Sequence, residues 1–247
     1  MRLIPSLSFT SGLVVALAMA GAAPVLGAAH NSDAMAGHME MTPSRPQQPG
    51  DKQRAATIVA AARKAADPYR DYKKALADGY EIFLPEVKQN VYHFTNKAHA
   101  FRNTMEFDPS RPTSLLYEKV PAKPGGQPGY KLVGVMYTAP YEVSQQELDR
   151  RVPLSIARWH LHTNLCVPPH PSIDDEDLVG ENARFGLRGS ITTVAACRAA
   201  GGRFVPHVFG WMVHVYPYEK DPKKIWAAGM DDEHGMQHDA MSPDMPM

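Results

Sequence analysis

The chain has 247 residues and carries 26 Lys and Arg against 26 Asp and Glu, so its formal net charge at pH 7 is zero. The basic residues form no stripe, and this argues against a nucleic acid partner. The body from residue 51 to residue 228 is long enough for a single domain with its own hydrophobic core.

The first 29 residues predict a cleavable secretory signal. Arg2 gives a positive start, residues 13–20 are apolar, and small residues follow as far as Ala29, which is the order typical of such signals. The apolar run is soon broken by Pro24 and is shorter than the roughly 20 residues that cross a bilayer. We expect cleavage between residues 22 and 29 and export to the periplasm or the medium, with no membrane span in the mature chain.

Methionine is concentrated in two polar segments, 30–50 and 229–247, which we predict to be a disordered linker and a disordered tail. Eight of the 13 methionines lie there, mixed with histidine. Thioether sulfur and imidazole are soft ligands that suit copper, above all Cu(I). The predicted ligands of these segments are His38, Met39, Met41, His234, Met236, His238, Met241 and Met245. The segments resemble those of Met- and His-rich periplasmic copper proteins, although a compositional bias without function is an alternative.

Two helices are predicted at the start of the body. Residues 51–66 are rich in Ala, with Ala55, Ile58 and Ala62 spaced for one helical face. Asp67 and Pro68 then suit the N-cap and the first position of a second helix, which Gly79 ends.

Beyond the helices the apolar pattern changes to period two. Strands are predicted at 114–119, 130–138, 156–163 and 208–216, with a short helix from about 190 to 200. The chain therefore predicts an α+β fold, a helical pair followed by an antiparallel sheet or small barrel, as a single domain over 51–228.

Residues 158–166 contain the pattern His160-Leu161-His162. Side chains two apart in a strand share a face, so both imidazoles can point at one ion. His214, in another predicted strand, is the expected third ligand, and His93 could complete or replace the set. Three histidines with an open position form a typical zinc site, in which the other nitrogen of each ring has its own hydrogen-bond partner. Copper is the favoured ion and zinc the alternative.

Cys166 and Cys197 are the only cysteines. Two cysteines in an exported chain most simply form one disulfide. A thiolate ligand at Cys166, beside the histidines, is the competing interpretation.

Several motifs of the body resemble an uncharacterised group of secreted bacterial proteins. They are the Asp-Gly-Tyr at 78–80 that ends an Ala-rich helix, the His-Phe-Thr-Asn at 93–96, the Leu-Leu-Tyr-Glu at 115–118 and the Leu-Val-Gly-Val at 132–135. The likeness runs from about residue 65 to residue 140. This chain departs from the group's pattern at Phe94, Ser114 and Met136. The resemblance implies a shared fold and secretion, and it implies no reaction.

Three functions remain open on the sequence. The favoured one is an exported metal-binding protein that captures, buffers or delivers copper, for which an envelope copper-handling protein is the expected partner. The second is a metal-dependent enzyme, hydrolytic or redox, in which Glu118 or Glu219 acts as a general base on bound water. The third is a structural envelope protein without metal. Binding is favoured because it needs only ligands, whereas catalysis also needs a pocket and a placed base.

Overall fold

The computed structural model describes residues 37–87, 89–122, 129–171, 176–179 and 182–226. The predicted signal peptide and the carboxyl-terminal tail lie outside these ranges, and with them the predicted ligands His234, Met236, His238, Met241 and Met245. Across the described residues, no helix combines the length and the apolar character needed to cross a bilayer.

Seven strands of the described chain form one antiparallel sheet. Their order across the sheet is β1-β6-β7-β5-β4-β3-β2. Since β1 and β2 are its two edges, the sheet is open, and the small-barrel alternative is wrong. The strands span Met39–Met41 (β1), Glu81–Ile82 (β2), Tyr92–Thr95 (β3), Ser114–Val120 (β4), Gly129–Ala139 (β5), His160–Val167 (β6) and Arg203–Val215 (β7).

Six α-helices accompany the sheet within the described ranges, so the α+β class is confirmed. They span Asp51–Ala66 (α1), Tyr72–Ala77 (α2), Lys97–Met105 (α3), Gln145–Arg151 (α4), Glu176–Val179 (α5) and Val194–Ala199 (α6). The predicted order of elements needs correction, because β1 precedes α1 and the sheet does not simply follow a helical pair.

The first helix, α1, has the bounds that its apolar spacing predicts, and Ile58 and Ala62 pack into the main core. The second predicted helix begins later than expected. Asp67–Tyr69 form a 3-10 turn directly after α1, and Asp67 keeps helical dihedral angles, whereas an N-cap requires an extended residue. Asp71 is extended and caps α2 by accepting a hydrogen bond of 3.0 Å from the backbone N–H of Lys73.

Residues 37–50 correct the prediction of a disordered linker over 30–50. Met39–Met41 form β1, an edge strand paired with β6. Arg45 donates hydrogen bonds to Asp51 at 2.6 Å and to Asp149 at 2.7 Å, and its guanidinium holds the pKa of Asp51 well below the usual range. A three-residue strand is too short to show the alternation of apolar and polar residues. The polar composition of the segment therefore predicted disorder instead.

Strands β4 and β5 lie within two residues of their predicted bounds. The other two predicted strands differ more. β6 begins at His160, four residues after the predicted start, because a turn occupies the residues before Ala157. β7 is longer than predicted, since it already pairs with β6 from Arg203.

The two faces of the sheet carry different side chains. The helix face is the face that carries Leu115, Tyr117, Val135, Tyr137 and Val213, and residues of α1, α2 and α4 pack against it in the main core. The opposite face carries a much smaller apolar cluster of Leu116, Met136, Met212 and Tyr216.

Cys166 and Cys197 form a disulfide that joins β6 to α6. The predicted bridge is confirmed, and the alternative of a thiolate metal ligand at Cys166 is wrong.

Candidate metal-binding site

The four histidines predicted in the body lie together on the face opposite the helices, which we call the histidine face. The ring centroids of His160 and His214 are 5.0 Å apart, and those of His160 and His162 are 5.5 Å apart. His93 joins them from β3, with its ring centroid 5.5 Å from that of His214. Leu161 faces the main core instead, as the period of a strand requires.

His93 and His214 meet across two intervening strands, β4 and β5. In a flat sheet three strand spacings, about 14 Å, would separate their Cα atoms. Their Nε2 atoms are nevertheless 3.5 Å apart, so the strands curl around the histidine face. Gly134 of β5 lies in this bend, where a Cβ atom would come within 2.7 Å of the Val215 carbonyl oxygen and 2.9 Å of the Tyr216 ring. The lack of a side chain at Gly134 permits this close approach of the strands.

The imidazoles are held neutral by their surroundings. His160, His162 and His214 are only 2%, 8% and 3% exposed. Burial lowers the pKa of His160 to about 3 and the pKa of His162 and His93 to about 4, and it lowers the pKa of His214 well below its usual value. Neighbouring imidazoles lower these pKa values further. At neutral pH each ring therefore keeps a lone pair that can bind a metal ion.

Three of these rings carry a buried nitrogen without a partner. Nδ1 of His160, of His162 and of His214 has no hydrogen-bond partner among the described residues. An unpaired buried polar atom destabilises a fold by about 1–3 kcal/mol. These nitrogens are free to contact an ion, although the part of the chain that the structure describes contains no group of three His, Cys, Asp or Glu able to hold a metal ion. The sheet gathers the imidazoles without completing a ligand set from these residue types.

The sequence predicts His38 as a metal ligand in a disordered segment, but the structure shows a different role for it. Its ring is fully buried, with Nε2 at 2.6 Å from the Gly189 carbonyl oxygen and Nδ1 at 3.2 Å from the Thr163 carbonyl oxygen. Since both ring nitrogens contact carbonyl oxygens, the ring holds the amino-terminal segment against β6.

The other two predicted ligands of this segment lie on β1, beside the site. Met39 is the cross-strand partner of His162, and Met41 is the partner of His160. Sequence reasoning missed two further methionines, Met212 and Met136, which pair with His160 and His214 respectively. No local pattern could have found them, because their position depends on the register of strands that are distant along the chain.

Each glutamate considered for catalysis makes a contact outside the four histidines. Glu118 accepts a hydrogen bond of 3.4 Å from Lys131, and Glu219 lies in the turn after β7, where its backbone N–H donates to the Tyr216 carbonyl oxygen. Within the described ranges, the charges that shift the pKa values of the site histidines come from other histidines and from no carboxylate.

Comparison with known proteins gives no relative of this chain. No family model matches it, and neither the curated proteins nor the solved structures contain a match. The resemblance to a secreted bacterial group stays a prediction.

Proposed function

We propose that this chain is an exported metal-binding protein that captures, buffers or delivers copper and holds one ion on the histidine face. The observation that carries the proposal is the set of three buried imidazoles, His160, His162 and His214, each with an unpaired Nδ1. Buried polar groups are nearly always paired in folded proteins, so a cluster of exceptions needs a reason. A metal ion bound among these rings supplies that reason, since it would contact ring nitrogens that have no hydrogen-bond partner in the described chain.

The charge of the site favours a monovalent ion. Burial and neighbouring imidazoles lower the pKa values of the four rings, and no carboxylate within the described residues is among the charges that shift them. The energy of burying an ion grows with the square of its charge, so a divalent ion is penalised about four times as strongly as a monovalent one. Cu(I) is monovalent and soft, and neutral imidazole and thioether suit it. Zn²⁺ on the same three histidines is the alternative.

Export is part of the proposal. The amino-terminal sequence has the order of a secretory signal, and a disulfide such as Cys166–Cys197 is typical of oxidising compartments. In the envelope, the Met- and His-rich tail after residue 229 would collect Cu(I) and raise its concentration near the body. An envelope copper-handling protein is then the natural source or recipient of the ion.

Binding is favoured over catalysis because the described structure supplies ligands and no base. An enzyme that activates a metal-bound water needs a proton acceptor within hydrogen-bond reach. Glu118 is instead paired with Lys131. We therefore propose no reaction.

The test is a Cu(I) titration of the full exported protein against a coloured Cu(I) chelator, compared with the triple variant His160→Leu, His162→Leu, His214→Leu. The triple variant is expected to lose one equivalent of tightly bound Cu(I). His207→Leu is the matched control, because His207 lies on β7 but is exposed and stacks on Tyr141. Equal stoichiometry in the triple variant and the unmutated protein would contradict a site in the body. Tighter binding of Zn²⁺ than of Cu(I) would contradict the choice of metal.

A further inference from the structure

The methionines of the sheet form a pattern around the histidine face. The described strands contain four methionines, Met39 and Met41 in β1, Met136 in β5 and Met212 in β7. Each of them is the direct cross-strand partner of a histidine that has an unpaired Nδ1. Met39 pairs with His162, Met41 and Met212 pair with His160 from its two sides, and Met136 pairs with His214.

From this register we infer that the body site is a mixed thioether and imidazole site, in which sulfur ligands drawn from these four methionines select Cu(I) over Zn²⁺. The inference rests on the proposed metal-binding function and adds to it the ligands that decide which ion binds. Direct cross-strand partners point to the same face of a sheet, with Cβ atoms about 4.5–5.5 Å apart. A methionine sulfur on a flexible side chain therefore lies within easy reach of the opposite imidazole.

The row through His160 shows the arrangement best. Three adjacent strands place Met41, His160 and Met212 side by side on the histidine face. His160 is 2% exposed and Met212 is 6% exposed, so the row is closed to solvent on the β7 side. Met41 is only partly buried, at the edge of the sheet. An ion entering from the β1 edge would meet a thioether first and the buried imidazole next.

The sulfur atoms supply ligands that the imidazoles alone do not provide. Histidine and the acidic and thiol residues alone do not provide three ligands at one point in the described chain. Thioethers raise the number of candidate donors around the same rings without adding charge. Cu(I) accepts low coordination numbers and soft donors, whereas Zn²⁺ prefers nitrogen, thiolate and carboxylate ligands.

The alternative role for these methionines is packing. Methionine fills irregular gaps in cores, and its sulfur makes favourable contacts with aromatic rings. Gap filling explains a methionine at one or two positions. It gives no reason for every methionine of the described strands to stand opposite one of the three rings with an unpaired Nδ1, while Met105, outside the sheet, is 69% exposed.

A mixed thioether and imidazole site gives the amino-terminal segment a function. β1 is short, lies at the edge of the sheet and contributes two of the four thioethers, and the buried ring of His38 anchors its start to the Thr163 and Gly189 carbonyl oxygens. An ion bound by Met41, His160 and Met212 would link β1 to β6 and β7. Metal binding should therefore protect the amide hydrogens of residues 39–42 from exchange.

The experiment uses the full exported protein with every methionine after residue 229 replaced by Leu, so that the tail binds no Cu(I) through sulfur. In this background, Met39, Met41, Met136 and Met212 are replaced together by Leu, which keeps their size and apolar character. Met105→Leu is the matched control. We expect the quadruple variant to bind Cu(I) at least tenfold more weakly, to bind Zn²⁺ with unchanged affinity, to lose the copper–sulfur distance in X-ray absorption spectra and to keep its urea midpoint.

The possible outcomes separate this inference from the proposed function. Unchanged Cu(I) affinity in the quadruple variant, with affinity lost in the triple histidine variant, would overturn the thioether ligands and leave the copper site standing. A parallel loss of Cu(I) and Zn²⁺ affinity in the quadruple variant would show packing rather than coordination and would also overturn the inference. Failure of the unmutated body to bind Cu(I) at all would overturn both proposals.

Discussion

The two faces of the sheet bury polar atoms in different ways. On the helix face, the hydroxyl of Tyr117 donates to the Tyr69 carbonyl oxygen and the hydroxyl of Tyr137 donates to the Pro109 carbonyl oxygen, both at 2.7 Å. On the histidine face, three ring nitrogens are buried without a partner in the described chain. The indole N–H of Trp159, in the main core, is the one further buried side-chain atom of this kind in the described chain.

This difference indicates a division of labour, in which the helix face stabilises the fold and the histidine face provides ligands. The helix face has a large apolar core whose polar tips are mostly paired, which is what stability requires. The histidine face accepts unpaired imidazoles, each of which destabilises the metal-free fold by about 1–3 kcal/mol. The unpaired imidazoles that destabilise the fold on the histidine face are thus able to bind a metal ion, provided that packing on the helix face keeps the protein folded.

Mild acid should produce the largest effect, and it should act through the histidine face. Unfolded histidines titrate near their ordinary pKa of 6.5, whereas the pKa of buried His160 is lowered to about 3 and that of His162 to about 4. Between pH 6.5 and pH 4 the unfolded chain therefore binds protons that the native rings do not. The free energy of unfolding is fully present above pH 6.5 and should fall as pH decreases, by roughly 1 kcal/mol per pH unit for each such histidine.

Urea unfolding of metal-free protein at pH 7.5, 6.5 and 5.5 measures this slope, and it avoids the range in which carboxylates titrate. His160→Leu should reduce the slope, because one titrating ring is removed. A flat stability between pH 7.5 and pH 5.5 would show that the rings are hydrated or paired in solution.

Cavity formation should have the next largest effect, and adjacent residues of β4 allow a direct comparison of the faces. Leu115 belongs to the main core of the helix face, and Leu116 belongs to the small cluster of the histidine face; both are fully buried. Leu115→Ala should lower the free energy of unfolding by about 3–5 kcal/mol. Leu116→Ala should lower it by about 2 kcal/mol, because a cavity beside polar rings can admit water. Urea unfolding of the two metal-free variants checks the order, and a larger loss for Leu116→Ala would contradict it.

Gly134→Ala tests the curl of the strands, which brings His93 close to His214. The new Cβ would lie 2.7 Å from a backbone oxygen of β7, and such overpacking destabilises by about 1–3 kcal/mol. Cu(I) affinity should fall with stability, since the bend that unites His93 with His214 would open. Gly129→Ala in the same strand is the control, because its Cβ would meet only the Val120 side chain at 3.2 Å. Equal Cu(I) affinity in both variants would separate the curl from the site.

Local patterns predicted the parts of the molecule that local physics decides. Period two gave β4 and β5, and it placed His160 and His162 on the same face with Leu161 on the other. The oxidising compartment expected for an exported chain predicted the Cys166–Cys197 bridge.

What the sequence could not predict depends on register and on long-range approach. Met39 and Met41 are read as tail residues, because only the pairing of β1 with β6 shows them beside the histidines. Met136 and Met212 look like ordinary core residues until the pairing of β5, β6 and β7 is known. The missing partners of the ring nitrogens are a property of the folded core, and no spacing along the chain reports them.

The smallest expected change is also the one with an unusual sign. His160→Leu replaces a buried ring that has an unpaired nitrogen by an apolar side chain of similar size, and this should raise the free energy of unfolding of the metal-free protein by about 1 kcal/mol. His207→Leu, at an exposed position, should change it by less than about 0.5 kcal/mol.

Addition of Cu(I) at a free concentration of 100 times its dissociation constant should stabilise the unmutated protein by about 2.7 kcal/mol and should no longer stabilise His160→Leu. Urea unfolding with and without Cu(I) measures all four changes. If His160→Leu destabilised the metal-free protein as strongly as a cavity on the helix face does, His160 would be a structural residue, and the division of labour between the two faces would be wrong. A rise in metal-free stability together with the loss of protection by Cu(I) would show that the fold keeps His160 for the ion, at the expense of its own stability.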